Sequence, residues 1–307
     1  MKTRPVTPLA ARLLTYQAER FPLWRNAPVL FAYAAAMTAV SAHLAGRPWP
    51  TPETMASACT VVLLVFFQLR VCDEVKDLEH DTRWQPERPI PRGLVSLREV
   101  VLTGLATVPL ALGAALLLDP RLLWTLLAVW TWVGLMTVEF FVPAWLRAHP
   151  IAYMGSHMIV VPLITLHATA CEWLVRGAGA PPGILLLLAL SFANGCVNEI
   201  GRKMRSPESE RPGVETYTAL WGMRRAAFAW LGCILAGLAL MVVLGVRSGA
   251  GLAVGALGIA GAAAALILVL RFLAEPTTAL GKAFDVVSGI WVLACYVALG
   301  LFPGLLR

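Results

Sequence analysis

The chain has 307 residues, 58% of them hydrophobic and only 14% charged, with a mean hydropathy of +0.72 and a formal net charge of +7. A soluble domain needs about 25% charged residues to cover its surface, so these values exclude a soluble globular protein and leave an integral membrane bundle. The positive charge does not require nucleic acid, because the basic rims of a membrane protein attract anionic lipids and anionic substrates alike.

The first 26 residues lack the apolar core and cleavage site of a signal peptide. From Leu9 to Trp24 the cations fall on one side and Leu, Phe and Trp on the other, which predicts a cytoplasmic interfacial segment over residues 1–26. Nine apolar stretches follow that approach the ~20 helical residues needed to cross a bilayer core. They run over 28–44, 54–69, 100–118, 122–138, 151–170, 184–197, 226–246, 252–270 and 283–301. The second and sixth are short and end in charged sequence, as helices that empty into a wet pocket would. The predicted fold class is an all-α integral membrane protein. It is a bundle of about nine transmembrane helices around a central cavity open to the cytoplasmic side, with 1–307 as a single domain. A cytoplasmic N-terminus puts 20 of the 25 Lys and Arg residues on the inner side, as the positive-inside rule requires. The expected location is a bacterial-type inner or plasma membrane, crossed many times. The six cysteines show no metal-binding spacing and mostly lie within spans, as small core residues.

The charge is concentrated after the second stretch, in CDEVKDLEHDTRWQPERPIPRGLVS, Cys72 to Ser96. Asp73, Asp77 and Asp81 are spaced i, i+4 and i+8, which puts three carboxylates on one helical face. A cation would relieve both their mutual repulsion and the cost of an acid at membrane depth, about 2.5 to 3.5 kcal/mol. Oxygen ligands without His or Cys favour Mg²⁺, which takes one or two carboxylates plus substrate phosphates. The bland reading is a solvated loop in which Lys76, His80 and Arg83 pair with these acids. Pro86, Pro89 and Pro91 then forbid a continued helix and predict an ordered cap with Arg88 and Arg92 facing the acids. Cations beside a carboxylate-held metal suit a diphosphate.

These residues resemble the UbiA superfamily of intramembrane prenyltransferases, a nine-helix family with an NDxxDxxxD motif and an RPxxxG-type loop. Here the string is DEVKDLEHD and then RPIPRG. Asp73 stands where the family has Asn and Glu74 where it has Asp; Asp77, Asp81, Arg88, Pro89 and Gly93 match. The family's second motif, DxxxD, corresponds to NEIGRKMRSPESERPGVETYTALWG, Asn198 to Gly222, where Gly213, Thr216 and Gly222 match but the acids do not. Glu199 is followed four residues later by Lys203, and Ser209 occupies the place of an acid. A cation there holds diphosphate directly. The resemblance therefore implies Asn198 and Glu199 at the pocket and Arg202 and Lys203 as phosphate contacts. Phe140 or Phe141 and Arg147 stand where the family has an aromatic and a Lys beside the diphosphate. His157, a polar group within a span, is a further candidate for substrate contact.

The implied reaction is Mg²⁺-dependent transfer of a prenyl group from an isoprenyl diphosphate to an aromatic or quinone-precursor acceptor inside the membrane, with Asp73, Asp77 and Asp81 as metal ligands. No nucleic acid and no obligate protein partner are implied beyond membrane lipids. A terpene cyclase of the same superfamily is the alternative. A transporter or channel is disfavoured because the acids cluster in one loop and no inverted repeat is evident.

Overall fold

The computed structural model describes residues 8–47 and 49–306. Residues 1–7 of the interfacial segment, with Lys2 and Arg4, and the terminal Arg307 lie outside the described residues.

The chain folds into helices, with no strand among the described residues. Helix α1, Leu9–Arg20, lies across the basic end of the bundle. Its two arginines are tied to neighbouring elements. Arg12 forks onto Glu99 at 2.9 and 3.1 Å and also donates to the Leu94 carbonyl, while Arg20 donates to Glu74 at 2.6 Å. Leu9 and Leu14 are exposed, as are Thr15 and Glu19.

Helix α2 spans Leu23–Leu44, and α3 spans Pro52–Lys76. The start of α3 follows local chemistry: Thr51 caps the backbone N–H of Thr54, Pro52 occupies the first turn where its missing N–H costs nothing, and Glu53 complements the dipole. At about 1.5 Å per residue its 25 residues exceed the bilayer core, so the second span is not short. It carries Arg70 to Lys76 past the apolar stretch as continuous helix.

Helix α4, Leu78–Trp84, follows a break at Asp77, and α5, Leu97–Leu118, opens on a capping box between Ser96 and Glu99. Helix α6, Leu122–Thr137, leads through a tight turn, Glu139–Phe141, to α7, Pro143–Ala148. Helices α8, Pro150–Met158, and α9, Val160–Trp173, form one broken span. Helix α10, Ile184–Arg202, is also longer than its apolar sequence. Helices α11, Tyr217–Trp221, α12, Met223–Ser248, α13, Gly251–Ala274, and α14, Thr278–Leu305, complete the bundle.

Among the described residues, eight helical segments are long and apolar enough to cross a membrane, and α6 is a shorter apolar helix. The protein is a multi-pass integral membrane protein. Small residues let the helices touch where burial of oily side chains gives no advantage over lipid. A Cβ on Gly201 would lie 2.0 Å from Ser288 Oγ and 2.9 Å from the Phe284 carbonyl, and one on Gly300 would lie 2.9 Å from the Ala36 Cα. These contacts fix α14 against α10 and α2. All six cysteines are free, and they are buried or half-buried.

Candidate functional site

The acidic face survives in the backbone but not as a cluster. The N–H of Asp77 donates to the Asp73 carbonyl and that of Asp81 to the Asp77 carbonyl, both at 2.8 Å, so the four-residue rhythm continues through the break. The side chains diverge. Asp73 is half-exposed, 3.3 Å from Arg70; Asp77 has Lys76 at 4.0 Å; Asp81 is buried and paired with Arg88. Among the described residues no three Asp, Glu, His or Cys side chains converge as a metal-binding set. The expected three-carboxylate handle is thus corrected to separate carboxylates, because α3 ends at Asp77 (φ −92°, ψ 4°) and Arg88 takes one oxygen of Asp81. The other oxygen of Asp81, Oδ1, is buried without a hydrogen-bond partner, with His80 3.6 Å away. Burial pushes the Asp77 carboxyl above its ordinary range, helped by repulsion from Asp73 and Asp81 and opposed by Lys76.

Two neighbours of these acids face elsewhere. Glu74, the first acid of the motif by position, is buried against Arg20 and Arg70 and anchors α1. Arg92, expected to face the acids, instead forks onto Glu19 at 2.7 and 2.9 Å and donates to the Glu87 carbonyl. The turns after Trp84 carry Arg88 inward and Arg92 outward, so only Arg88 meets the acids.

The space between α3, α6 and the α8–α9 span includes two narrow recesses. The inner one is mostly apolar and too tight for a water molecule, lined by Val62, Val65, Leu126 and Ile164 with His167 at its wall. The outer one, a void of about 10 Å³, is lined by Cys72, Asp73 and Lys76 of α3, Val133 and Thr137 of α6, and His157 of α8. Lys76 Nζ donates to Tyr153 Oη at 2.8 Å, and the Tyr153 ring stacks on His157 at 4.0 Å. His157 Nδ1 lies 2.9 Å from the Tyr153 carbonyl, so that nitrogen carries the proton; Nε2 is buried with no partner. Glu139, Phe140 and Phe141 all adopt left-handed φ, 47°, 53° and 62°, at roughly 1–2 kcal/mol each. This turn sets Phe140 5.3 Å from Trp132 and 5.9 Å from His157, and leaves Phe141 exposed. Arg147 is also outside, 62% exposed and 3.8 Å from Glu139.

Helix α10 brings the second segment to the same place. Glu199 is buried and holds both Arg202, at 2.7 Å from its Nε, and Lys203, at 2.9 Å. Asn198, one residue earlier and about 100° around the helix, is exposed and makes no hydrogen bond to this group. Arg202 lies within electrostatic range of Asp73, His157 within range of Lys76 and Glu199, and Tyr217 within range of Glu199 and Tyr153. The loop that follows docks on α4: His80 Nε2 donates to the Gly213 carbonyl at 2.7 Å, and a Cβ on Gly213 (φ +78°) would enter the Trp84 ring at 2.3 Å. Glu210 accepts from the hydroxyls of Thr216 and Thr218, bracing the loop rather than the site.

Residues 16–301 match the UbiA prenyltransferase family. The chain belongs to that family. Solved UbiA relatives share the fold. An apo UbiA homologue from Aeropyrum pernix K1 is 18% identical with a TM-score of 0.64, covering 85% of this chain and 96% of its own. A digeranylgeranylglyceryl phosphate synthase is 14% identical with a TM-score of 0.62, covering 95% and 99%. A UbiA homologue from Archaeoglobus fulgidus bound to GPP and Mg²⁺ is 13% identical with a TM-score of 0.56, covering 93% and 99%. No curated relative matches the chain significantly in sequence.

In this UbiA chain the fold gathers Asp73, Asp77, Asp81, Arg88, His157, Glu199, Arg202 and Lys203 at one end, and leaves Arg92, Arg147 and Asn198 out. Sequence reasoning missed Lys76 as more than a counterion and missed Tyr153 altogether. The signal for Tyr153 was its i, i+4 spacing to His157, which stacks the two rings.

Proposed function

We propose that this UbiA-family protein transfers a prenyl group from an isoprenyl diphosphate to an aromatic or quinone-precursor acceptor within the membrane, with the charged end of the bundle on the cytoplasmic side. The observation that carries the reading is the backbone rhythm that carries Asp73, Asp77 and Asp81 in succession through the α3–α4 break, with Asp73 and Asp81 both within electrostatic range of Asp77. One buried oxygen of Asp81 is unpaired, Lys76 lies beside Asp77, and Arg202, which shares Glu199 with Lys203, lies within electrostatic range of Asp73. The Archaeoglobus fulgidus homologue in complexes with GPP and Mg²⁺ and with DMAPP and Mg²⁺ supports such a head group in this fold.

The carboxylates fit Mg²⁺. They are hard oxygen donors, an unpaired oxygen is present, and the ion ordinarily shares its shell between one or two carboxylates and substrate phosphates, so three converging acids are not needed. Asp77 and Asp81 would hold it, with Asp73 at the recess mouth. When bound, Mg²⁺ supplies charge neutralisation at the departing diphosphate. Arg88 keeps Asp81 oriented. Arg202 and Lys203, tethered to Glu199, present N–H donors to phosphate oxygens where negative charge accumulates. The Phe140, Trp132, Tyr153 and His157 rings border the position where an allylic cation forms; their faces stabilise it, and the apolar walls exclude the water that would quench it.

Membranes containing the protein, given Mg²⁺ and geranyl diphosphate, should release diphosphate, and EDTA should stop the release. Asp77→Asn removes one charge at nearly constant volume and should lower turnover about 100-fold or more while the protein remains folded. Unchanged turnover in that variant would remove Asp77 from the site. A cyclic hydrocarbon or alcohol formed without acceptor would assign a cyclase instead of a transferase.

A further inference from the structure

Lys76 interrupts the acidic motif and is the last residue of α3, with its side chain 16% exposed in the outer recess. An ammonium has three donors. One is spent on Tyr153 Oη; the nearest carboxylate, Asp77, is 4.0 Å away and out of hydrogen-bond reach. Since Tyr153 Oη accepts from Lys76, its own O–H is unspent, and it donates to no described residue. Two N–H groups of Lys76 and the O–H of Tyr153 are thus left without a hydrogen bond to any described residue, at a recess whose wall also carries Asp73 and His157. Leaving a largely buried ammonium so poorly paired is costly, and an entering anion removes that cost. Glu199 is drawn instead to Arg202 and Lys203.

Resting on the diphosphate reading above, we propose that Lys76, positioned by Tyr153, is a fixed cation of the diphosphate site, so that this chain grips the leaving group partly without metal. It acts with Arg202 and Lys203 where the family pattern has a second pair of acids and the chain does not. The ligand class is a diphosphate or free pyrophosphate, and the dependence on divalent ion is correspondingly weakened for binding.

The test is titration of the purified full-length protein in lipid nanodiscs with inorganic pyrophosphate, in EDTA and in Mg²⁺, read by calorimetry. Wild type should bind in EDTA. Lys76→Met, which fills the space of the lysine stem without its charge, should bind about 10- to 100-fold more weakly in EDTA, the loss expected for a charged hydrogen bond. Lys76→Arg should bind near the wild-type level, which separates charge from packing. Wild type that binds pyrophosphate in Mg²⁺ but not in EDTA overturns the proposal, as does Lys76→Met equal to wild type in EDTA. Should Lys76→Met fail to fold, Lys76→Gln replaces it, with the same loss expected in EDTA and wild-type affinity in EDTA overturning the proposal. Absence of pyrophosphate binding in both conditions would instead defeat the diphosphate reading itself.

Discussion

Arg88 and Arg92 sit four residues apart in the same proline-rich loop and look equivalent as sequence, yet they do different work. Arg88 neutralises a buried carboxylate. Arg88→Ala should destabilise the detergent-solubilised protein by about 1–3 kcal/mol, measured by thermal unfolding, and lower diphosphate release, because Asp81 is left buried with neither oxygen paired. Arg92→Ala should cost at most about 1 kcal/mol and leave diphosphate release nearly unchanged, since its pair with Glu19 is solvent-exposed. Its hydrogen bond also holds the Glu19 carboxyl below the ordinary range. The sign follows: this small contribution is present above the ordinary carboxylate pKa and is lost as pH falls through the lowered one. The presence of basic residues was legible in the sequence; which one turns inward was not, because the turns of residues 85–96 are set by contacts with α1.

At the scale of elements, the position of Glu199, Arg202 and Lys203 depends on how closely α10 approaches α14. Gly201 allows that approach. The Ser288 hydroxyl can rotate away from a new methyl group, but the Phe284 carbonyl, 2.9 Å from it, cannot. Gly201→Ala should therefore push the helices apart, costing about 1–3 kcal/mol and weakening pyrophosphate binding through the displaced cations. Gly232 is the control: a Cβ there meets nothing within 4 Å, so Gly232→Ala in α12 should be neutral or stabilise by up to about 1 kcal/mol. A thermal shift of the same sign in both variants would contradict the close-contact account. The sequence signalled the end of α4 through Pro86, whereas the start of α3, set by Thr51, Pro52 and Glu53, lies two residues before the apolar stretch. It gave no sign of the left-handed turn at Glu139–Phe141, because three non-glycine residues are held there by the packing of Phe140 on Trp132 and His157 rather than by local preference.

Across the whole molecule the two ends carry different polar networks. Opposite the site, Glu172 is buried and accepts from Arg47 at 2.6 and 2.7 Å and from Ser41 at 3.0 Å, with Arg176 3.2 Å away, joining α2 to α9. Glu172→Gln should lower the thermal midpoint, the loss of a buried charge paired with arginine costing about 3–5 kcal/mol, while pyrophosphate affinity of the folded fraction is unchanged. Composition and the roughly 20-residue apolar rhythm by themselves determined a helical membrane bundle, since a bilayer tolerates few other solutions to backbone hydrogen bonding. The acidic and RPIPRG strings by themselves located the candidate site, because their charges and prolines are local properties. Which acids converge, the outward turn of Arg92, Arg147 and Asn198, and the meeting of Lys76 with Tyr153 were decided only by tertiary structure. Those outcomes depend on partners distant in sequence, and on rotations of a helix by a single residue, that no local pattern encodes.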